Sequence, residues 1–364
     1  MNRYAVAIVG AGMAGASLAA EIAPHAPVLL IEAEDQPGYH ATGRSAAFWD
    51  ETYGGPDIQP LTSASGPWLR AEGVLAPRGS LHIARAGQEA LLDAFEAEFA
   101  GCGVRLDRLD RTALAAALPG VRPGWVGAVS GPTCTDIDVA ALHALYLGRA
   151  RAAGAELVRA SPLRAAERRG GAWQLTAGER QHEAEILVDA AGAWADPVAA
   201  LAGARPIGIQ PCRRTMVQLA VAPPAPATMP LILDIAQRFY FKPEAGGRIW
   251  LSPHDETPSL PCDAAPEEID VAIAIDRLEQ VVDWRVERIE RKWAGLRSFA
   301  PDRLPVYGFD PAVPGFFWCA GQGGFGIQTA PAGAKLAAAL LLGTAQDPIV
   351  AGIDPGRYRA ARFS

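Results

Sequence analysis

Val6-Ala7-Ile8-Val9-Gly10-Ala11-Gly12-Met13-Ala14-Gly15, followed by Pro27-Val28-Leu29-Leu30-Ile31-Glu32, is the stretch that decides the fold. An apolar run, three glycines spaced G-x-G-x-x-G, a second apolar run and a terminal acid read as strand, tight turn, helix, strand and ribose-binding carboxylate. Each glycine has its own task. Gly10 makes the turn, Gly12 lets the backbone approach a pyrophosphate, and Gly15 lets the helix lie against the strand. The helix amino terminus at Met13-Ala14 then faces the phosphates. With 38 glycines in the chain the spacing alone is weak, so the flanking strands and Glu32 carry the assignment. Glu32, followed by Ala33, can accept from both ribose hydroxyls and would repel a 2′-phosphate, which leaves NAD or FAD and disfavours NADP.

Working outward, 364 residues that are half hydrophobic predict a globular chain with room for two or three compact units. A formal net charge of -7 gives no electrostatic reason to bind nucleic acid or an anionic membrane. The expected partner is a small molecule. The chain runs from Met1-Asn2-Arg3-Tyr4 directly into the first strand, without a charged and apolar leader, so a cytoplasmic location is expected. Five cysteines (Cys102, Cys134, Cys212, Cys262 and Cys319) stand singly, which predicts neither a metal site nor a disulfide framework. The run Lys335 to Leu342 is too short to span a bilayer.

Further along, helices are expected around Ile58 to Glu72, Gln88 to Phe99, Val139 to Ala153 (capped by Asp138), Ala193 to Ala202 and Pro266 to Val281. Ser80 to Ala84, Leu163 to Glu167, Trp173 to Thr176, Thr215 to Leu219 and Phe239 to Phe241 alternate as strands. Ala184 to Gly192 is a second strand-to-glycine turn. Gly315 to Ala320 leads through the glycine-rich Gly321 to Gly326, read as another helix start, into an alanine-rich helix ending near Leu342. The resulting fold class is α/β, with a Rossmann-like nucleotide domain interleaved with an α+β domain on an antiparallel sheet. The expected boundaries are 1-79, 138-210 and 300-364 for the first, and 80-137 and 211-299 for the second.

Three segments in this order, Gly10 to Gly15 with Glu32, Gly38-Tyr39-His40-Ala41-Thr42-Gly43-Arg44-Ser45-Ala46-Ala47, and Gly321-Gln322-Gly323-Gly324-Phe325-Gly326-Ile327-Gln328-Thr329, resemble the D-amino-acid oxidase and glycine oxidase superfamily of FAD enzymes, whose nucleotide domain is of the GR2 type. The likeness runs nearly end to end and is greatest to its bacterial D-arginine dehydrogenases. It implies non-covalent FAD and hydride removal from the carbon beside an amine. As cofactor-binding residues it implies Gly10, Gly12, Met13, Ala14, Gly15, Glu32, Ala33, Thr42, Gly43, Arg44, Ser45, Ala46, Ala47, Leu163, Ala191, Gly192, Trp194, Gly323, Gly324, Phe325, Gly326, Ile327 and Gln328.

The same resemblance implies Arg214 and Arg297 as readers of a substrate carboxylate, a task suited to the planar guanidinium fork. Tyr240 would help hold that carboxylate, Tyr53 would sit on a loop over the pocket, and Gln328 would lie near flavin and substrate. Arg213 and Arg214 are adjacent, so on a strand one of them must face away. Where arginine-preferring relatives carry an acid this chain aligns Ser80, and where they carry a histidine it has Phe48; with Gly324 these are the expected side-chain pocket. Serine cannot offset the desolvation of a guanidinium, so the reading is a neutral or apolar D-amino acid, oxidised to an imino acid that water converts to a 2-oxo acid and ammonia. Reoxidation would need a quinone, another carrier or O2. The alternatives are a secondary amine (glycine- or sarcosine-like), a 2-hydroxy acid, or a flavin-binding protein without turnover.

Overall fold

The computed structural model describes residues 3–363. Residues 1, 2 and 364, which the sequence reading includes in the nucleotide domain, lie outside the described residues. Arg3–Val9 and Val28–Ile31 pair in parallel, with Val6 opposite Val28 and Val9 opposite Ile31. All four residues of Val28–Ile31 are buried, as expected of a parallel strand covered on both faces. Arg180–Asp189 lies on the other side of the first strand and puts Asp189 opposite Val9. This strand divides its outer edge between two neighbours: its first half pairs antiparallel with Ala172–Ala177, and its last residues pair in parallel with Phe316–Ala320. Glu156–Val158 closes the far edge. Three distant stretches of chain thereby build one eight-stranded sheet.

Helices Met13–Ile22, Val139–Ala152 and Ala330–Leu342 cover one face through Ile8, Leu18, Leu30, Tyr146 and Leu336. Trp173, Val198, Phe316 and Trp318 fill the other. Gly15 fixes the spacing of the first helix. A Cβ at this position would lie 1.9 Å from the carbonyl oxygen of Gly10, and at Gly10, whose φ is +99°, a Cβ would lie 2.5 Å from that of Ala190. Both obstacles are backbone and cannot rotate away.

The second sheet has ten strands. Its spine is the antiparallel pair Gln210–Ala222 and Arg285–Phe299, paired from Gln210 opposite Phe299 to Ala222 opposite Arg285, with the register shifting after Gln218 and again after Ala220. Alternation gives its two faces different chemistry. Val217, Leu219 and Val221 point to a core shared with helix Glu268–Glu279, Phe239 and Phe241, whereas Arg214 and Met216 point to the nucleotide domain side. Phe48–Trp49, Thr135–Ile137 and Leu75–Pro77 form a separate three-stranded sheet.

The expected helices and strands are present with ends moved by a few residues. Among the elements that the sequence reading did not include are helix Arg111–Ala117, the strands Phe48–Trp49, Trp125–Gly131, Leu231–Asp234, Arg248–Ser252 and Val306–Phe309, and the full length of Arg285–Phe299. One expectation is corrected. Gly321 to Gly326 does not open a helix directly: Gln322–Gly323 joins the second sheet against Ser298 and Phe299, turns follow, and the helix begins at Ala330.

Gly15→Ala should therefore lower stability by about 3 kcal/mol or more, the range of severe backbone overpacking. A melting curve of the purified variant beside the parent chain measures it, and an unchanged midpoint would contradict the packing described.

Candidate cofactor and substrate site

A cavity of about 420 Å³ runs from the first glycine turn to the even-numbered face of Gln210–Ala222. At its nucleotide end, Glu32 is buried and already oriented: Oε2 accepts from the Ala11 N–H at 2.9 Å and Oε1 from the Glu34 N–H at 3.0 Å. Each oxygen keeps a further lone pair for a ribose hydroxyl. Gly12 stands where a Cβ would come within 3.3 Å of Thr42 Oγ1, and that hydroxyl accepts from the Met13 N–H at 3.0 Å. Met13, Ala14, Ala33, Ser45, Ala46, Leu163, Ala191, Gly192 and Trp194 all line this space. The side-chain-free turn, the helix amino terminus and the acid together fit a dinucleotide such as FAD.

Other expected cofactor residues serve it from behind or elsewhere. Gly15 acts through helix packing, as above. Gly43 N–H closes the loop onto the Gly38 carbonyl at 2.7 Å. Ala47 faces a second cavity, because its carbonyl accepts from Ile137 in the small sheet. Arg44 lines the cavity, yet its guanidinium is not free for phosphate: it donates to the carbonyls of Ala264 (2.8 Å) and Ala294 (3.1 Å) and pairs with Asp263. It is a clamp across the two sheets. Phe325 packs against Tyr53 and Phe299, ring centres 5.6 and 6.2 Å away.

At the other end of the cavity the second sheet delivers two arginines to one face. Arg297 lies directly opposite Cys212, and Arg214 is two residues further on, opposite Gly295; residues in these positions share a face. Arg213 points the other way, where Glu267 and Asp270 hold it. Arg214 is buried, donating through Nε to the Asp255 carbonyl at 2.7 Å and through Nη2 to Glu256 at 3.3 Å. Its Nη1 is buried with no hydrogen-bond partner among the described residues, while its charge acts on the Tyr53 phenol. Arg297 is half-buried, and its Nη1 donates to the Tyr53 hydroxyl at 2.7 Å. Gly324 permits this placement, since a Cβ there would lie 2.7 Å from the same nitrogen. Gly323, Gly326 and Ile327 line the cavity beside it.

The aromatic residues around the arginines form one cluster. The Tyr240 hydroxyl donates to Met216 Sδ at 3.1 Å, and Phe48 packs edge-on against Tyr53 and Tyr240 at 4.8 and 6.0 Å. Burial would raise the Tyr53 pKa, but the charges of Arg297 and Arg214 outweigh it and hold the phenol below its ordinary value. His254 lies 5.7 Å from Tyr240 between ring centres. Burial first, and then the same two guanidinium charges, push its pKa down to about 2, so it is neutral at physiological pH.

Three expected site residues are placed differently. Phe48 is a wall behind the tyrosines and does not line the cavity. Ser80 is fully buried in strand Ser80–Arg85 between Leu231 and Gly131, and its hydroxyl meets the Gly131 carbonyl, at 3.4 Å, and the buried Cys134 thiol. Gln328 is also buried away from the cavity: its Nε2 donates to the Tyr53 carbonyl (2.8 Å) and Thr62 Oγ1 (3.0 Å), and its Oε1 accepts from the Asp50 N–H (3.4 Å). It positions the loop that carries Tyr53. His254 and Met216 were missed. The period of two from Arg214 could have found Met216; the bend that brings His254 in, a residue at φ +57°, left no mark in the sequence.

A family model described as FAD dependent oxidoreductase matches residues 5–340. The hydrogen cyanide synthase subunit HcnC of Pseudomonas aeruginosa is 27% identical over 229 residues, which are 61% of this chain and 52% of that protein, so the match spans about half its length. Among solved structures, glycine oxidase from Geobacillus kaustophilus superposes with a TM-score of 0.84 at 23% identity, covering 97% of this chain and 98% of the other. L-proline dehydrogenase from P. horikoshii gives 0.85 at 19% identity, covering 98% of each chain.

Deprotonated Tyr53 would pair with Arg297 and compete with any carboxylate for it. Because its pKa is lowered, kcat/KM for a carboxylate substrate should fall as pH rises through a value below 10, and Tyr53→Phe should remove that alkaline limb; a limb that survives in Tyr53→Phe contradicts the assignment. Gln328→Ala should raise KM several-fold and shift the Tyr53 titration seen by ultraviolet difference absorbance, whereas FAD content stays at the parent level.

Proposed function

The chain belongs to the family of FAD-dependent oxidoreductases, and from that premise we propose that it oxidises the CH–NH2 group of a D-amino acid with a neutral or apolar side chain. The observation that carries this reading is the pair Arg214 and Arg297 on one face of the sheet, at the end of the cavity whose other end fits the nucleotide. The Arg297 donors, engaged by the Tyr53 phenol, are the side of the clamp offered to a carboxylate; Arg214, whose buried Nη1 has no hydrogen-bond partner among the described residues, adds its charge, and Tyr240 closes the site from the side. Tyr53 gives up its hydrogen bond to Arg297 when the carboxylate enters. Met216 and Tyr240 give the cavity wall beside the clamp an apolar and aromatic character, backed by Phe48 and Tyr53, and the acids that line the cavity, Glu32 and Glu34, stand at its nucleotide end, away from a cationic tail.

Non-covalently bound FAD would supply the hydride-accepting chemistry, and the work of this chain's own residues is orientation and electrostatics. Holding the carboxylate on two fixed guanidinium groups sets the angle at which the α-carbon meets the cofactor. Cys319 takes no part: it is buried in Phe316–Ala320, and burial pushes its thiol pKa up to about 12. His254 stays neutral at physiological pH, with its ring on the Gln237 carbonyl. The amino acid loses two electrons and two protons to become an imino acid, which water converts to a 2-oxo acid and ammonia. A secondary amine such as sarcosine or proline is the second reading, favoured by the names of the glycine oxidase and proline dehydrogenase whose folds match.

Anaerobic mixing of the FAD-loaded protein with D-alanine, D-leucine, D-phenylalanine, D-arginine, glycine, sarcosine and lactate tests both readings. Neutral D-amino acids should bleach the flavin fastest and D-arginine slowly; if no D-amino acid bleaches it, the reading fails, and fastest bleaching by sarcosine selects the second. Arg297→Met should lower kcat/KM roughly a hundredfold, the effect of removing one partner of a buried charged pair at about 3 kcal/mol.

A further inference from the structure

Tyr53 reaches Arg297 from a short loop, and the residues just before it belong to a buried chain of polar groups outside the clamp. Asp50 is 3% exposed. Its Oδ1 accepts from the Thr52 N–H at 2.9 Å and from the Thr52 hydroxyl at 2.6 Å, while its Oδ2 has no hydrogen-bond partner among the described residues. The Thr52 hydroxyl has one proton and gives it to the carboxylate. In the 3.2 Å contact between Thr52 Oγ1 and His82 Nε2 the imidazole is therefore the donor, and the chain runs from His82 through Thr52 to Asp50. Burial pushes the His82 pKa down against the pull of Asp50; burial, and then Asp50, push the nearby Cys134 thiol well up. The imidazole and the thiol beside the carboxylate are thus both uncharged at physiological pH. His82 is itself fixed. Its neighbours Leu81 and Ile83 point into the core of the second sheet, so His82 faces the opposite side, where Phe95 packs on its ring with 4.3 Å between centres. The Tyr53 N–H donates to the Asp50 carbonyl at 3.1 Å, so the turn that begins at the anchored Asp50 ends on the tyrosine.

We propose that His82 and Thr52 are positioning residues for the substrate carboxylate: acting on Asp50, they hold Tyr53 where its phenol serves the carboxylate that enters at Arg297. The inference rests on the reading of Arg214 and Arg297 as a carboxylate clamp. Arg297 Nη1 donates to the Tyr53 hydroxyl, which leaves the phenol its own proton to give. When a carboxylate takes the Arg297 donors, a phenol kept in place donates that proton to it, a charge-assisted bond; a phenol on a loosened loop swings away and does not. Gln328 holds the same loop by its backbone, at the Asp50 N–H and the Tyr53 carbonyl. His82 holds it by side chains, from the second sheet. The tyrosine is thereby gripped from two separate parts of the fold, and loss of either grip moves it relative to Arg297.

Thr52→Val keeps the shape of the side chain and removes its hydroxyl, and His82→Leu removes the donor; Thr52→Ser and His82→Gln put them back. Three quantities are read on the FAD-loaded protein: benzoate affinity from the flavin spectrum, KM and kcat for a D-amino acid, and the alkaline titration of Tyr53. The last is the ultraviolet difference between each protein and the same protein carrying Tyr53→Phe. The charged groups that face Tyr53 are Arg297 and Arg214, with the neutral His254 ring 6.4 Å away between centres, so a phenol moved off them titrates nearer its ordinary value. Thr52→Val and His82→Leu should each weaken benzoate binding and raise KM about fivefold, the effect of one lost hydrogen bond, with kcat little changed. Each should also raise the Tyr53 midpoint. The double variant should do no more than either single one, because both break the same chain, and Thr52→Ser and His82→Gln should return most of the loss. A folded Thr52→Val with parent benzoate affinity and a parent Tyr53 titration overturns the proposal, as do effects of the two substitutions that simply add. Benzoate that leaves even the parent flavin spectrum unchanged counts against the clamp instead, and the Tyr53 titration then still decides the positioning.

Discussion

Two guanidinium groups of like charge face one cavity, and much of the surrounding structure is arranged to keep them there. Arg214 and Arg297 cannot approach water freely, and burying a charge without compensation costs several kcal/mol. Arg214 is answered by Asp255, through its carbonyl and a carboxylate oxygen 3.8 Å from Nε, and by Glu256, but Glu256 is also held by Arg303, so three guanidinium groups share two carboxylates. Arg297 has no carboxylate partner among the described residues and leans on the Tyr53 phenol. The site is thus short of negative charge. That shortage accounts for the lowered pKa of Tyr53 and contributes to that of His254, and it is the physical reason a carboxylate should be drawn in.

The glycine turn and the arginine pair lie on different sheets, so their separation must be fixed by contacts between sheets. Arg44 is the most direct of these. It leaves the cofactor loop and bonds to the backbone of Ala294 in the strand that carries Arg297, while Trp293 returns a bond to the Arg44 carbonyl. Gln328 performs the same office for the Tyr53 loop. Neither side chain needs to touch a ligand to matter: a shift of the loop by an ångström would change where the α-carbon meets the cofactor.

The first sheet was legible in the sequence because its signals are local. Gly10, Gly12, Gly15 and Glu32 sit within one strand–helix–strand unit, and each has a steric or charge requirement that few residues meet. The arginines were legible through resemblance and through period two, which requires Arg213 and Arg214 to part. What was not legible depended on long-range pairing. Ser80 sits in a strand interior because Leu231 and Gly131 flank it, and no feature of residues 78–84 announces that. Gln328 is drawn from the cavity by Tyr53, Thr62 and Asp50, three partners more than 260 residues away in sequence. The role of Arg44 likewise depends on Ala264 and Ala294. Side chains whose partners are distant in sequence are those a local reading misassigns.

The central claim is that the two arginines present a carboxylate site beside bound FAD. Titrating the FAD-loaded protein with benzoate, a carboxylate without an amine, and recording the visible flavin spectrum tests it without turnover. A saturable perturbation of the flavin bands that weakens about a hundredfold in Arg297→Met is the result the account predicts. A spectrum that does not respond to benzoate, or that responds equally in Arg297→Met, would contradict it.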